Sequence, residues 1–179
     1  MANLRDVAQQ VEQRSKRKHA RGSVVLPLPL YEGSYAARFG VLGEERLAEF
    51  EQAVTQDLTD EDAVDIITDF VAEACRVIGV VDGRKFDALR HDDGRPVRFD
   101  QDFAELLKLE RADGEPIDSM AAVVRAVWTV EEGDDEGGTK LVMNVSALSV
   151  FGHRLRQWME DTNREVEGEL VGGSSASRQ

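Results

Sequence analysis

A chain of 179 residues, 41% apolar and 32% charged, can bury one core and is too short for a second large one. Its formal net charge of -13 argues against general affinity for nucleic acid, because phosphate binding needs clustered Lys and Arg to release counterions. No apolar run approaches the ~20 residues that cross a bilayer, and no apolar stretch follows the N-terminal charges, so the expected setting is the cytoplasm, with no membrane partner.

The charge is uneven along the chain. Residues 1–21 hold Arg5, Arg14, Lys16, Arg17, Lys18 and Arg21 against Asp6 and Glu12, whereas residues 43–75 hold eleven acids and the single base Arg46. Leu4, Val7, Ala8 and Val11 recur at spacings of three and four, which predicts a helix with little to bury: a flexible basic helical arm over 1–21, either fraying and partly disordered or ordering on an acidic partner.

From Gly22 to Leu42 the pattern becomes extended. Val24 to Leu30 and Tyr35 to Val41 flank Glu32-Gly33-Ser34, and this predicts a small β-hairpin around a glycine turn. Pro27 and Pro29 lack amide donors, so the first strand belongs at a sheet edge or pairs on one side only. Such an edge can accept a partner's extended peptide, although prolines also prevent that.

Residues 43–57 and 59–78 read as two successive helices. In the second, Ala63, Val64, Ile66, Ile67, Phe70, Val71, Ala74, Cys75, Val77 and Ile78 form one apolar stripe; Thr59 is the expected N-cap and Gly79 the expected stop. Cys75, the sole cysteine, falls on that stripe and reads as packing in a reducing compartment.

Residues 80–98 read as short extended pieces with turns at Asp82-Gly83 and Asp92-Asp93-Gly94 and little regular structure. Asp100 caps a short helix carrying Phe103, Leu106, Leu107 and Leu109. Asp118 or Ser119 caps another with Met120, Val123, Val124, Val127 and Trp128 at helical spacing. The run 131–138 has no apolar residue and is expected to be a solvated loop. A last helix over about 139–162 carries Leu141, Val145, Leu148, Phe151, Leu155, Trp158 and Met159, before the linker-like run from Gly172 to Ser177.

The expected fold is therefore mainly α. A single helical domain over 22–163, with its small N-terminal hairpin at 22–42, lies between the basic arm at 1–21 and a flexible Gly/Ser-rich tail at 164–179.

No catalytic, cofactor-binding or metal-binding residues are assigned, and the protein is expected not to be an enzyme. His19, His91 and His153 stand in no nucleophile signature. His91-Asp92 lacks the further His and Asp ligands of a metal-dependent phosphohydrolase. Asp92-Asp93-Gly94 and Asp134-Asp135-Glu136 lack the alternating acids and closing Glu of a calcium loop. Gly33, Gly40 and Gly43 are too scattered for a phosphate loop, and Gly137-Gly138-Thr139-Lys140 has the wrong order. Two aromatic features bear on partner binding: Tyr31 and Tyr35 flank the hairpin turn, while Trp128 and Trp158 complete apolar stripes and read as core.

The ordered features resemble a known family. They are the charged N-terminal helix, Val24-Val25-Leu26-Pro27-Leu28-Pro29-Leu30-Tyr31 with Ala36-Ala37-Arg38-Phe39, and then acidic helices. Pro96-Val97-Arg98-Phe99-Asp100 leads to Phe103-Ala104-Glu105-Leu106-Leu107. Ala122 to Val127 and Trp158-Met159 through Glu165 to Leu170 follow. Together these cover most of the chain, and they resemble the tail assembly chaperones of long-tailed, siphovirus-type actinobacteriophages; the acidic loop at 131–138 looks like an insertion relative to that pattern.

The resemblance implies a protein of the host cytoplasm that binds the aggregation-prone tape measure protein. It would present that partner to tail tube subunits and be absent from the mature virion. It also implies, in such families, a frameshifted longer form of the same product. An acidic carrier with apolar grooves between helices fits stoichiometric holding of amphipathic segments. The alternative class is a structural phage neck or head-to-tail adaptor, which would stay in the particle.

Overall fold

The computed structural model describes residues 22–55, 61–135 and 137–172, and the backbone alone after 166. The expected basic arm at 1–21 lies outside the described residues, as do 173–179. The chain opens with β1 (Ser23–Pro27) and β2 (Tyr35–Gly40), paired antiparallel with Val24 opposite Phe39 and Leu26 opposite Ala37. A short left-handed turn at Tyr31–Gly33 joins them. Two acidic helices follow, α1 (Glu44–Val54) and α2 (Glu61–Ala74). The chain then returns as β3 (Cys75–Asp82) beside β2, and β4 (Lys85–Ala88) completes a four-stranded antiparallel sheet in the order β1-β2-β3-β4. Next come α3 (Gln101–Leu106), α4 (Met120–Val127), the separate hairpin β5 (Thr129–Gly133) and β6 (Thr139–Met143), and the long α5 (Val145–Gly172).

The fold is mixed α/β and corrects the expectation of a mainly α domain with a small hairpin: 46% of the described residues are helical and 25% lie in strands. Three stretches account for the difference. The stripe read as one helix to Ile78 ends at Ala74, and Cys75, Val77 and Ile78 are strand residues buried in β3. The stretch 80–98, expected to be irregular, supplies the rest of β3 and all of β4, with Asp82 paired to Lys85 across the turn. The expected last helix begins only at Val145, because Thr139–Met143 pairs with Thr129–Gly133, and that pairing also takes Glu131 and Glu132 out of the expected loop; the helix then runs on to Gly172, so 164–172 is helix and not the start of the expected flexible tail.

The prolines explain why β1 is an edge. The Leu28 amide donates inward to the Tyr35 carbonyl, so Pro27 and Pro29, one residue to either side, stand where an amide would point away from the sheet. The missing donors leave no inward bond unmade, and the outer edge offers few groups to an incoming strand.

One face of the sheet packs on the helices. Ala37, Phe39, Cys75 and Ile78 are fully buried in the core, with Phe39 edge-on to Phe151 of α5 and Tyr35 edge-on to Phe103 of α3. Helix α2 is central, packing against α1, α4 and α5. The opposite sheet face closes on itself: a Cβ at Gly79 would lie 2.6 Å from the Phe86 ring, and the Arg38 guanidinium lies 5.0 Å from that ring's centre.

Candidate functional site: an aromatic turn on an acidic body

The sequence placed its open aromatic feature at Tyr31 and Tyr35, and the structure gives it a definite shape. Tyr31, Glu32 and Gly33 have φ of 47°, 56° and 83°, three consecutive left-handed residues of which only the last is glycine. L-residues disfavour this region because Cβ approaches the following carbonyl oxygen, at roughly 1–2 kcal/mol each. Local bonds hold the turn: the Gly33 amide donates to the Leu30 carbonyl at 3.0 Å, and the Ser34 amide and hydroxyl both donate to the Tyr31 carbonyl at 3.1 and 2.7 Å.

A second left-handed residue faces this turn. Helix α3 ends with the Lys108 amide donating to the Glu105 carbonyl and the Leu109 amide to the Ala104 carbonyl, a Schellman arrangement in which Lys108, at φ 51°, takes the place usually given to glycine. The preceding carbonyl, of Leu107, accepts a 3.4 Å hydrogen bond from the Tyr31 hydroxyl, joining the two strained segments across 76 residues. Backbone held in disfavoured regions concentrates where surrounding structure over-determines a functional surface.

Exposed apolar side chains lie on the elements that meet at this junction. Tyr31 is 61% exposed, Leu106 68% and Val80 37%. Tyr31 stacks against Tyr35 with ring centres 6.0 Å apart, and Tyr35 is opposite Val80 in register, so both lie on one sheet face. That row ends the packed face: its next member across the sheet is the exposed Asp87. Leu106 and Val80 were not singled out from sequence. Leu106 looked like one more core residue of a short apolar helix, and Val80 lay in a stretch expected to be irregular.

The body behind the patch is strongly acidic. Bases and acids are six against two in residues 1–21, which leaves sixteen against thirty-three for the rest of the chain. Several of those bases are consumed internally. Arg46 binds Glu49 and Glu73, Arg125 binds Glu61 at 2.8 Å and Asp65 at 2.6 Å, and Arg156 binds Glu51 at 3.1 Å and Glu160 at 2.7 Å. These contacts tie α1 to α2, α4 to α2 and α5 to α1. Burial, followed by the neighbouring charges of Asp65 and Glu73, pushes the Asp69 carboxyl above its ordinary range.

The residues weighed for chemistry are placed as follows. His91 sits between two carboxylates, with Nε2 2.9 Å from Asp100 Oδ2 and Nδ1 3.2 Å from Asp102 Oδ2. These three side chains are close enough to hold a cation. The Asp100 oxygens, however, also accept the Phe103 amide at 3.0 Å and the Arg98 amide at 3.1 Å, so this carboxylate is the N-cap of α3 and His91 is its brace. Asp92 and Asp93 are exposed in the turn before it, and Asp93 binds Arg95. His153 is exposed on α5, and His19 lies outside the described residues. Trp128 is 2% exposed, and Trp158 packs partly buried against the same core, as read from their stripes. Burial pushes the Cys75 thiol up to about 12, so it stays protonated at neutral pH. A cleft of about 520 Å³ lies elsewhere, lined by Arg111, Asp113, Arg125 and Glu61 with the start of α5; its guanidiniums are already bound to carboxylates. Among the described residues no helix is long and apolar enough to cross a membrane.

Fold and site together define an acidic mixed α/β domain that presents a preformed aromatic surface at the end of its sheet. No protein-family model matches the chain, and neither the curated proteins nor the solved structures yield a match.

Proposed function

We propose that the protein is a holding chaperone for another polypeptide, and specifically a phage tail assembly chaperone that keeps the tape measure protein soluble until tail tube subunits take it over. The observation that carries the reading is the exposed side chains of Tyr31, Leu106 and Val80, with strained backbone at Tyr31 and at Lys108, on a body with a twofold excess of acids. An exposed apolar cluster with ordered geometry marks an interaction surface. A large net charge opposes aggregation of whatever is held. The resemblance of its ordered sequence features to actinobacteriophage tail assembly chaperones supports the tape measure protein as that partner. Binding is stoichiometric and needs no nucleotide; it takes place in the host cytoplasm and leaves the chaperone out of the mature virion.

The test is co-expression with the tape measure protein encoded downstream, with an equally acidic unrelated protein as control. The expected result is a soluble tape measure protein that co-purifies with this chain alone. An insoluble partner, together with this chain in purified particles, would replace the reading with that of a neck or head-to-tail adaptor.

A further inference from the structure

We propose that the patch at Tyr31 seats an amphipathic helix of the partner, its apolar stripe on Tyr31, Val80 and Leu106 and its Lys and Arg side chains toward the surrounding acids. That the helix belongs to a tape measure protein rests on the function proposed above; its chemistry is argued from the surface itself. Strand addition is disfavoured at β1, because Pro27 and Pro29 remove outward amides, and at β4, which is four residues long and carries Lys85 and Asp87. What remains is docking through side chains: Tyr31 touches Tyr35, which is opposite Val80, and bonds the Leu107 carbonyl next to Leu106, and exposed apolar side chains on neighbouring elements suit the stripe of a helix.

Charge selects the helix. Glu32 is next to Tyr31, Glu105 next to Leu106, Asp82 is two residues beyond Val80 on β3, and Asp87 is directly opposite Val80 on β4. Against these stand Lys108, Arg84 in the β3–β4 turn and Lys85; Lys85 and Asp87 bind each other, which leaves three acids against two bases. With the acid excess of the whole body behind them, a stripe flanked by Lys and Arg is attracted and one flanked by Asp and Glu is repelled.

The test uses the full chain and two labelled amphipathic peptides about five turns long, one built of Leu and Lys and the other of Leu and Glu. The variant is Tyr31→Asn with Leu106→Gln. Asn tolerates the left-handed backbone at position 31, but the variant gives up the Tyr31 hydroxyl bond to Leu107 and the ring contact with Tyr35, so its thermal midpoint should fall by a few degrees; Leu106→Gln alone disturbs neither contact, should keep the midpoint of the parent and should still weaken peptide binding. The expected result is binding of the Leu/Lys peptide to the parent, no binding of the Leu/Glu peptide, and affinity at least about tenfold weaker in the variant. Equal affinity of parent and variant for the Leu/Lys peptide would overturn the docking site, and equal binding of both peptides would overturn the charge selection. Co-expression separates the two proposals. A variant that solubilises the tape measure protein as well as the parent removes the docking site and leaves the chaperone function; a parent that fails to solubilise it, but still loses the Leu/Lys peptide on mutation, does the reverse.

Discussion

Asp100 shows how much one side chain can hold in this fold. Burial alone would raise its pKa, but the amides of Arg98 and Phe103 and the His91 ring bind its ionised form and hold the carboxyl below the usual range. A depressed carboxyl stabilises the fold above its unfolded value, near ~3.9, and that contribution is lost as pH falls through the folded value. Asp100→Asn keeps an acceptor for the Phe103 amide but loses the charge. The variant should be less stable than the parent by about 1 kcal/mol at pH 7, after discounting for partial exposure. The gap should narrow at a second, acid pH below the unfolded value of ~3.9. Urea midpoints at the two pH values check this; a gap of equal size at both would show that the charge contributes nothing. The cap itself was legible in sequence, because an acid three residues before the first apolar residue of a helical run is a local signal. His91 was not legible as its brace, because that contact spans a turn whose geometry no spacing rule gives.

At the scale of elements, the stretch from Ala74 to Asp82 explains what sequence conveyed and what it hid. Ala74, Cys75, Val77 and Ile78 continue the spacing of α2, so a helical period fits them as well as a strand does. The strand is buried on both faces, Cys75 and Ile78 on one and Val77 and Gly79 on the other, which removes the alternation that would have marked it. The available clue was composition: Val77 to Val81 is β-branched apart from one glycine and runs into Asp82-Gly83, a hairpin signal. Leu141 misled in the same way, four residues before Val145 and yet in β6. Helix packing was the least legible, since it depends on close approaches such as Gly152 of α5 against the Phe50 ring of α1. A Cβ at Gly152 would lie 2.7 Å from that ring. Replacing a helical glycine by alanine ordinarily gains about 1 kcal/mol, whereas forcing a methyl into a packed contact costs about 1–3 kcal/mol. Phe50 is fully buried and stacked on Phe70 at 4.4 Å, so it has little room to yield. Gly152→Ala should therefore lower the thermal midpoint by a few degrees; a higher midpoint would mean that α5 shifts away from α1 easily.

For the molecule as a whole, charge sets stability and binding against each other. The arginines that join the helices are each flanked by two acids, so even a fully formed set of bridges leaves residual repulsion among α1, α2 and α5. Salt screens exposed charges beyond about 10 Å at 0.1 M and affects partly buried pairs less. The side chains of Arg125 and Arg156 are mostly buried, whereas most of the surplus acids are exposed, so added salt should weaken the repulsion more than the bridges. Raising sodium chloride from about 0.05 to 0.5 M should therefore raise the thermal midpoint. The same change should weaken binding of a basic helix, because that attraction comes from the same surplus charge. The opposite signs make the measurement informative. If the midpoint and the peptide affinity fall together, the arginine bridges outweigh the repulsion, and the acid excess serves the fold before it serves a partner.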